Sequence, residues 1–196
     1  IHDLAAQLFN VNPTDIAVGS SATELLSSLA WAIAPKKGEN IVSTDIVFPS
    51  TVYPWQRVAN STGCTVRLAQ CKNNYLDPDG IVKLMDHHTA VVCISHVEYG
   101  NGQVFDLQKL SDAAHEAGAL FIVDATQSAG AIPIDGKTCA IDALVCGAYK
   151  WLCGPFGAAV MYINPELQQK LIPGLVGFRS HKHMWDLDPG RIEYPD

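Results

Sequence analysis

Short apolar runs alternate with amphipathic segments along most of the chain. Apolar residues that recur every three or four positions predict a helix over residues 1–9, and helices are also expected over residues 53–62 and 107–117. A further helix over residues 22–34 is closed by Pro35. Apolar runs that are too short for helices predict buried strands. The predicted strands cover residues 16–18, 40–44, 65–69, 90–95, 120–123, 143–146 and 158–163.

The order of these elements predicts the fold class. Apolar strands that alternate with helices are typical of a mostly parallel sheet covered on both faces. We therefore expect an α/β protein with three layers, α/β/α, around a mostly parallel central sheet. In such sheets the ligand binds at the carboxyl ends of the strands, so candidate chemistry is sought in the residues that follow each strand.

Composition narrows the class of function. The chain has 196 residues, of which 48% are hydrophobic, as expected for a globular protein of one domain with the edge of a second. No signal peptide, membrane span or low-complexity tract is recognised. The net charge of -7 at pH 7 disfavours nucleic acid or an anionic membrane as a partner, since either requires a basic face. Small-molecule chemistry is favoured instead.

The cysteines and histidines predict neither a disulfide framework nor a metal site. No Cys-x-x-Cys pair occurs, and we interpret the cysteines as reduced core residues of a cytoplasmic protein. The pairs His87/His88 and His181/His183 lack an acidic or cysteine partner at ligand spacing, so we interpret them as loop residues. The cysteines are Cys64, Cys71, Cys93, Cys139, Cys146 and Cys153.

Lys150 is the residue with the most suggestive setting. It lies between an apolar run that ends at Cys146 and a turn that contains Gly154, Pro155 and Gly157. A partly buried lysine at a strand-loop junction tends to lose its proton and can then form a Schiff base with an aldehyde. The alternative is that Lys150 is an ordinary surface lysine in a hairpin loop. Without the other segments of the sequence, this alternative is favoured.

The segment from Gly19 to Glu24 follows a predicted strand and opens a helix. Small residues with free backbone N–H groups at a helix start form an anion site, and Thr23 adds a hydroxyl. A plain N-cap, with Ser20 or Ser21 as the cap, explains the same residues. The segment is neither a Walker loop nor a Gly-x-Gly-x-x-Gly turn, so a nucleotide is not favoured.

Asp124 ends a predicted central strand. A buried acid there is costly unless a cation or a strong donor pairs with it, although an aspartate that caps the following turn is an alternative. Asp124 and Lys150 at strand ends of one sheet are what a pyridinium ring held by a lysine requires. Gln127, one turn further on, can donate to a ring hydroxyl.

Five segments, in this order, resemble the class V aminotransferase family. These are pyridoxal-phosphate (PLP) enzymes of fold type I, which include cysteine desulfurases, selenocysteine lyases and kynureninases. The resemblance covers nearly the whole chain, and the segments around Asp124 and Lys150 are its specific part. The segments are SSATE at 20–24, FPS at 48–50, SHVEYGNG at 95–102, VDATQSAG at 123–130 and YKWLCGPFG at 149–157.

The resemblance implies a role for each matching residue. Lys150 would hold PLP as a Schiff base, and Asp124 would keep the pyridine nitrogen protonated so that the ring acts as an electron sink. Gln127 would contact the ring hydroxyl, while Ala22 and Thr23 would bind the phosphate.

Other positions are implied less directly. Phe48 would stack on the cofactor and Tyr149 would reach the phosphate, with core packing as the alternative for both. Tyr99 stands near the cofactor, where desulfurases commonly have asparagine. His96 is a candidate catalytic residue if it faces the site, and a satisfied strand histidine otherwise. Gly147 occupies a position that often carries a phosphate-binding serine.

Family members are about twice this length, which implies a division of the chain. Residues 1–175 would form the PLP-binding large domain, and residues 176–196 would start the connection to a small C-terminal domain. The arginine that grips the substrate carboxylate and the desulfurase cysteine would then lie after residue 196. Family sites form between subunits, so a homodimer is expected.

The resemblance leaves the reaction open. An enzyme acting on an amino acid as a lyase of the cysteine desulfurase or C–S lyase type is favoured by residues 95–97 and 124–127. Residues 48–50 and 149–150 match the kynureninase branch, and transamination is a further alternative. A catalytically silent PLP-binding module is the alternative from another class.

Overall fold

The computed structural model describes residues 1–194 and contains a seven-stranded sheet. All seven strands agree with the predicted ones to within one residue at each end, because most of them are short runs of buried, mainly apolar side chains. The strands are β1 Ile16–Gly19, β2 Asn40–Thr44, β3 Thr65–Ala69, β4 Thr89–Ser95, β5 Leu120–Asp124, β6 Ala143–Gly147 and β7 Ala159–Ile163.

The strand order across the sheet is β1-β7-β6-β5-β4-β2-β3. Strands β2 to β6 pair in parallel, whereas β7 pairs antiparallel with both β6 and β1. The mostly parallel sheet is therefore confirmed. The reversed strand β7 has a local effect: it sets the carboxyl end of β1 beside the loop that joins β6 to β7, since Gly19 pairs with Ala159 and Ala159 pairs with Gly147.

Helices cover both faces of this sheet and complete the three layers. Helices α2 and α3 pack on one face through side chains such as Leu26 and Trp55. Helices α1, α4 and α5 pack on the other through side chains such as Phe9 and Leu110. The helices are α1 His2–Phe9, α2 Ala22–Ile33, α3 Pro49–Thr62, α4 Pro78–Val82, α5 Leu107–Glu116 and α6 Pro165–Gln168, with short 3-10 turns at Pro13–Asp15, Phe178–Ser180 and Met184–Asp186.

Helix α3 begins four residues before the predicted start at residue 53. Proline fits the first position of a helix because its missing N–H has no helical partner there. Pro49 takes that position, so residues 49–52 are helical rather than loop. This earlier start carries Ser50 and Thr51 to the carboxyl edge of the sheet, where the cavity described below lies. The short helices α4 and α6 were not predicted, since four or five residues give no helical periodicity.

The exposure of the cysteines and the apolar character of the helices can be compared with the sequence analysis. Cys64, Cys93 and Cys146 are buried, but Cys153 is exposed, so the interpretation of the cysteines as core residues is wrong for Cys153. Within residues 1–194, none of the helices combines the length and the apolar character needed to cross a bilayer.

Glu98, just beyond β4, is a buried carboxyl group with 1% of its surface exposed. Burial raises the pKa of Glu98 to about 7, with the negative charges of Asp124 and Asp45 adding to the effect and a hydrogen bond from Thr44 opposing it. The Thr44 hydroxyl donates to Oε1 at 3.1 Å, while Oε2 has no hydrogen-bond partner among residues 1–194. The protonated acid is therefore the form that suits this position.

We expect Glu98→Gln to change the pH dependence of stability. The folded-state pKa is raised, so the native protein binds this proton more tightly than the unfolded chain, and stability falls as the pH rises from about 4.5 to about 7. Removing the ionisable group should stabilise the protein by up to about 3 kcal/mol at pH 8 and by little at pH 4.5. Urea unfolding at both pH values measures this, with the exposed Glu116→Gln as the control. Equal effects of Glu98→Gln at both pH values would contradict the assignment.

Candidate active site

A cavity of about 130 Å³ opens at the carboxyl edge of the sheet. Every residue proposed from the sequence as a site residue lines it, with the exception of His96. Those residues are Ala22, Thr23, Phe48, Tyr99, Asp124, Gln127, Tyr149 and Lys150. Five further lining residues were not proposed as site residues: Ser21, Ser50, Ser95, Val97 and Thr126.

The start of α2 forms one wall of the cavity. Ser21 is the N-cap, and its hydroxyl oxygen accepts a hydrogen bond from the backbone N–H of Glu24 at 3.1 Å. The carboxylate of Glu24 in turn accepts from the backbone N–H and the hydroxyl of Ser20, and these bonds lower its pKa. The cap and the anion site are thus compatible, because Ala22 and Thr23 still present first-turn N–H groups that have no helical acceptor.

Helix α3 forms the adjoining wall. Its N-cap residue Phe48 and its second residue Ser50 both line the cavity. The hydroxyl of Thr23 donates to the hydroxyl oxygen of Ser50 at 2.8 Å, which joins the first turns of α2 and α3. Two helix N-termini therefore converge on one cavity, and their partial positive charges favour an anionic group there.

Asp124 lies at the floor of the cavity with 5% of its surface exposed. Its Oδ2 accepts from the Thr51 hydroxyl at 2.6 Å, and its Oδ1 accepts from the backbone N–H of Thr126 at 2.9 Å. Within residues 1–194 the carboxylate of Asp124 makes no ion pair. Neutral donors alone hold it, so a cationic group that entered the cavity would find an uncompensated negative charge.

Two thiols close to Asp124, those of Cys93 and Cys146, are expected to be unreactive as nucleophiles. Burial raises the pKa of Cys93 far above its usual range, and the charge of Asp124 adds to the shift. Burial likewise raises the pKa of Cys146 to about 12, again with a contribution from Asp124. Both thiols stay protonated near neutral pH, and neither supplies the thiolate that a cysteine nucleophile needs.

Lys150 lies in the loop between β6 and β7 and is exposed. The expectation of a partly buried lysine is therefore wrong. The apolar runs on either side are buried in the two strands, but the connecting loop extends beyond the edge of the sheet. The Lys150 ammonium lies 5.6 Å from the centre of the Tyr149 ring, which in turn stacks on Phe156 at 4.8 Å.

Gly147 and Tyr149 occupy linked positions. A Cβ atom at Gly147 would come within 2.8 Å of Cε1 of Tyr149, closer than such atoms approach. The backbone N–H of Gly147 also donates to the Thr126 hydroxyl at 3.2 Å. The Tyr149 ring thus fills the space that a side chain at position 147 would need.

Two further contacts orient side chains at the cavity. The rings of Phe48 and Tyr99 meet edge to face with centres 5.3 Å apart. The indole N–H of Trp151 donates to Oε1 of Gln127 at 3.2 Å. Because an indole nitrogen only donates, the amide group of Gln127 is left to act as a donor on its other side.

His96 does not join the cavity. Ser95, Val97 and Tyr99 line it, whereas His96 between them is buried, in keeping with the alternation of side chains along an extended segment. Burial lowers its pKa, and its Nδ1 has no partner among the described residues. The position of His96 in the sequence does not determine whether its side chain faces the cavity or the protein interior.

Metal-ligating residues form no cluster in the part of the chain that the structure describes. No group of three or more His, Cys, Asp or Glu side chains in residues 1–194 is arranged to hold a metal ion. The rings of His87 and His88 lie 3.9 Å apart, centre to centre, away from the cavity.

Residues 1–184 match the aminotransferase class-V family. The chain belongs to this family. Its members are PLP-dependent enzymes. The family assignment covers the strands, both helix N-termini and the loop that carries Lys150.

Individual relatives carry different functional names. The uncharacterized aminotransferase YcbU of Bacillus subtilis is 32% identical over 86% of this chain and 45% of its own length. A probable cysteine desulfurase of Pyrococcus abyssi is 30% identical over 89% of this chain and 44% of its own length. The kynureninase of Pseudomonas fluorescens is 32% identical over 76% of this chain and 35% of its own length. The chain therefore spans less than half the length of these relatives.

Solved structures agree on the fold. The apo cysteine desulfurase of Thermococcus onnurineus superposes with a TM-score of 0.91 at 26% identity, over 100% of this chain and 48% of that one. The Escherichia coli cysteine desulfurase CsdA gives a TM-score of 0.90 at 24% identity, over 99% of this chain and 49% of that one. The α/β/α architecture is thus that of these proteins.

The contact between Gly147 and Tyr149 predicts a measurable coupling. Gly147→Ala should cost about 0.5–1.5 kcal/mol of unfolding free energy, because the added methyl group displaces the exposed Tyr149 ring from Phe156. In a Tyr149→Ala background the same substitution should cost well under half as much. Urea unfolding of the four proteins measures the coupling, and equal costs in both backgrounds would show that the ring is not the obstacle.

Proposed function

We propose that this chain is the cofactor-binding part of a PLP-dependent enzyme that acts at the alpha carbon of an amino acid. One observation carries the proposal: Asp124 and Lys150, a buried carboxylate and an exposed lysine side chain, line the same cavity in a chain of the class V aminotransferase family. The first can hold a pyridinium nitrogen, and the second can attach to an aldehyde.

The chemistry of the cavity suits each part of PLP. Within residues 1–194 the carboxylate of Asp124 has only neutral donors, so a protonated ring nitrogen would supply the missing positive charge. The paired N-termini of α2 and α3, with the hydroxyls of Thr23 and Ser50, suit a phosphate. Ala22 contributes a small side chain and a first-turn N–H at the same place.

The remaining lining residues suit the ring and its hydroxyl group. Phe48 would lie against the ring, with Tyr99 edge-on behind it. Gln127 would donate to the ring hydroxyl, because Trp151 occupies its amide oxygen. Tyr149 would reach the phosphate. His96 is left out of this assignment, since it does not line the cavity.

When bound, PLP supplies an electron sink for negative charge at the substrate alpha carbon. Asp124 would keep the ring nitrogen protonated, which maintains that sink. Nζ of Lys150 would accept the proton from the alpha carbon of the substrate and later return it to the substrate. The open loop that carries Lys150 gives Nζ the freedom to serve in both roles.

For the reaction itself we propose a lyase of the cysteine desulfurase or C–S lyase type. Segments 95–97 and 124–127 favour this branch, and the Pyrococcus abyssi relative carries that name. A kynureninase-like hydrolase is the second candidate, because Phe48 and Tyr149 match that branch and the Pseudomonas fluorescens kynureninase is 32% identical. Aminotransfer and a silent PLP-binding module remain alternatives.

The division of the chain and its partners belong to the same proposal. Residues 1–175 would form the large domain, and residues 176–196, of which the last two lie outside the described residues, would lead to a small domain. Large apolar side chains of this second segment are exposed, which supports contact with further protein: Val176, Phe178, Trp185, Leu187, Ile192 and Tyr194. A homodimer in the cytoplasm, with an amino acid as substrate, completes the proposal.

The first test is the visible absorbance of the purified protein titrated with PLP. The native protein should develop the yellow band of lysine-bound PLP, and borohydride should fix the cofactor to the peptide that contains Lys150. Lys150→Ala should show neither band nor attachment, while Lys137→Ala, which removes an exposed lysine distant from the cavity, should behave like the native protein. A native-like band in Lys150→Ala would refute the role of Lys150.

The second test separates the reaction branches. The full-length PLP-loaded protein is incubated with cysteine, with kynurenine, and with alanine plus a 2-oxo acid. Persulfide or sulfide release from cysteine is expected, and Lys150→Ala should reduce it by at least about a thousandfold because it removes the base. Anthranilate release would assign the protein to the kynureninase branch, and PLP binding without any turnover would identify a silent module. A monomer by light scattering that still turned over substrate would count against the dimer.

A further inference from the structure

Thr51, the third residue of α3, makes the shortest contact to Asp124. Its hydroxyl donates to Oδ2 at 2.6 Å, and the Thr51 side chain is fully buried, with 0% of its surface exposed. Thr51 does not line the cavity, so it touches the site only through Asp124. The two residues are 73 positions apart in the sequence.

The backbone of Thr51 is held by hydrogen bonds at both its N–H and its carbonyl group. The backbone N–H of Thr51 donates to the carbonyl of Phe48 at 2.9 Å, which closes the first turn of α3. The thiol of Cys93, in β4, donates to the carbonyl of Thr51 at 3.5 Å. A β-branched side chain has few rotamers inside a helix, so a fixed backbone leaves the hydroxyl little freedom.

The two donors to Asp124 come from different parts of the fold. The N–H of Thr126 belongs to the turn that follows Asp124 itself, and it holds Oδ1. The Thr51 hydroxyl belongs to a helix on one face of the sheet, and it holds Oδ2. Two donors on different oxygens fix the plane of the carboxylate, which a single donor does not do.

We propose that Thr51 is a positioning residue that orients Asp124 and offsets its buried charge, so that the carboxylate is held ready for a protonated ring nitrogen. The proposal rests on the proposed function, since it assumes that the ring of PLP meets Asp124. Because Phe48, Ser50 and Thr51 share the first turn of α3, this one turn contributes the ring contact, a phosphate contact and the contact to Asp124.

The test measures PLP affinity by absorbance titration in Thr51→Val and Thr51→Ser. Valine has nearly the shape of threonine but no hydroxyl, and we expect the affinity of this variant for PLP to fall by about fivefold to tenfold, because a carboxylate that is no longer held in one plane must be oriented when the ring nitrogen binds. Serine keeps the hydroxyl and should restore affinity to within about threefold of the native protein. Should Thr51→Val fail to fold, Thr51→Ala removes the hydroxyl without adding bulk and carries the same expectation.

A second background separates positioning from a general effect on α3. With Asp124→Asn, the charge that Thr51 offsets is absent, so Thr51→Val should change PLP affinity by less than about twofold. Urea unfolding of the four cofactor-free proteins should show the same coupling between positions 51 and 124 without any contribution from PLP. A loss of affinity that is equal in both backgrounds would overturn the proposal, as would PLP affinity in Thr51→Val within twofold of native.

Failure of the proposed function has a different signature. If the native protein binds no PLP at all, the proposed function is wrong and the role of Thr51 falls with it, whatever the unfolding data show. If the native protein binds PLP through Lys150 but Thr51→Val binds equally well, the proposed function stands and only the role of Thr51 is refuted.

Discussion

The structure depends on a buried carboxylate that no cation of the described chain neutralises. Asp124 ends a strand in the middle of the sheet, and taking its charge out of water is unfavourable unless donors or a positive ligand compensate. The fold supplies donors from the following turn and from α3, and it leaves the face toward the cavity open. Two helix N-termini beside it suit a negative group, so the cavity pairs a site for a cation with a site for an anion.

Much of the fold could be predicted because buried strands are short apolar runs, and such runs are visible in the sequence. The start of α3 could not, since Pro49 marks a helix start only if the helix itself is already recognised. Asp124, Lys150 and Gln127 were found because they follow predicted strands, and the residues around them resemble a known family. Ser50 and Thr51 were missed, because their contacts depend on how α3 packs and not on any local pattern.

Two further differences concern the direction and exposure of side chains. His96 is a candidate catalytic residue only if it faces the site, and the alternation of side chains along the extended segment that ends β4 turns it away from the cavity, while Ser95 and Val97 line it. Lys150 was expected to be partly buried because its neighbours are apolar, but those neighbours belong to the strands and the loop between them lies outside the core. The amino acids on either side of a residue predict whether it lies in a strand or a loop better than they predict how exposed its side chain is.

The antiparallel strand β7 has a consequence for how the protein is made. Strand β1 precedes the other six strands in the sequence, but its neighbour in the sheet is β7, the last of the seven, so β1 can enter the sheet only after residue 163 has emerged. The pairing of β1 with β7 is also what brings the cap of α2 beside the Lys150 loop. The cap of α2 and the Lys150 loop therefore come together only once β7 has paired with β1, and a nascent chain that has yet to complete β7 lacks the assembled cavity.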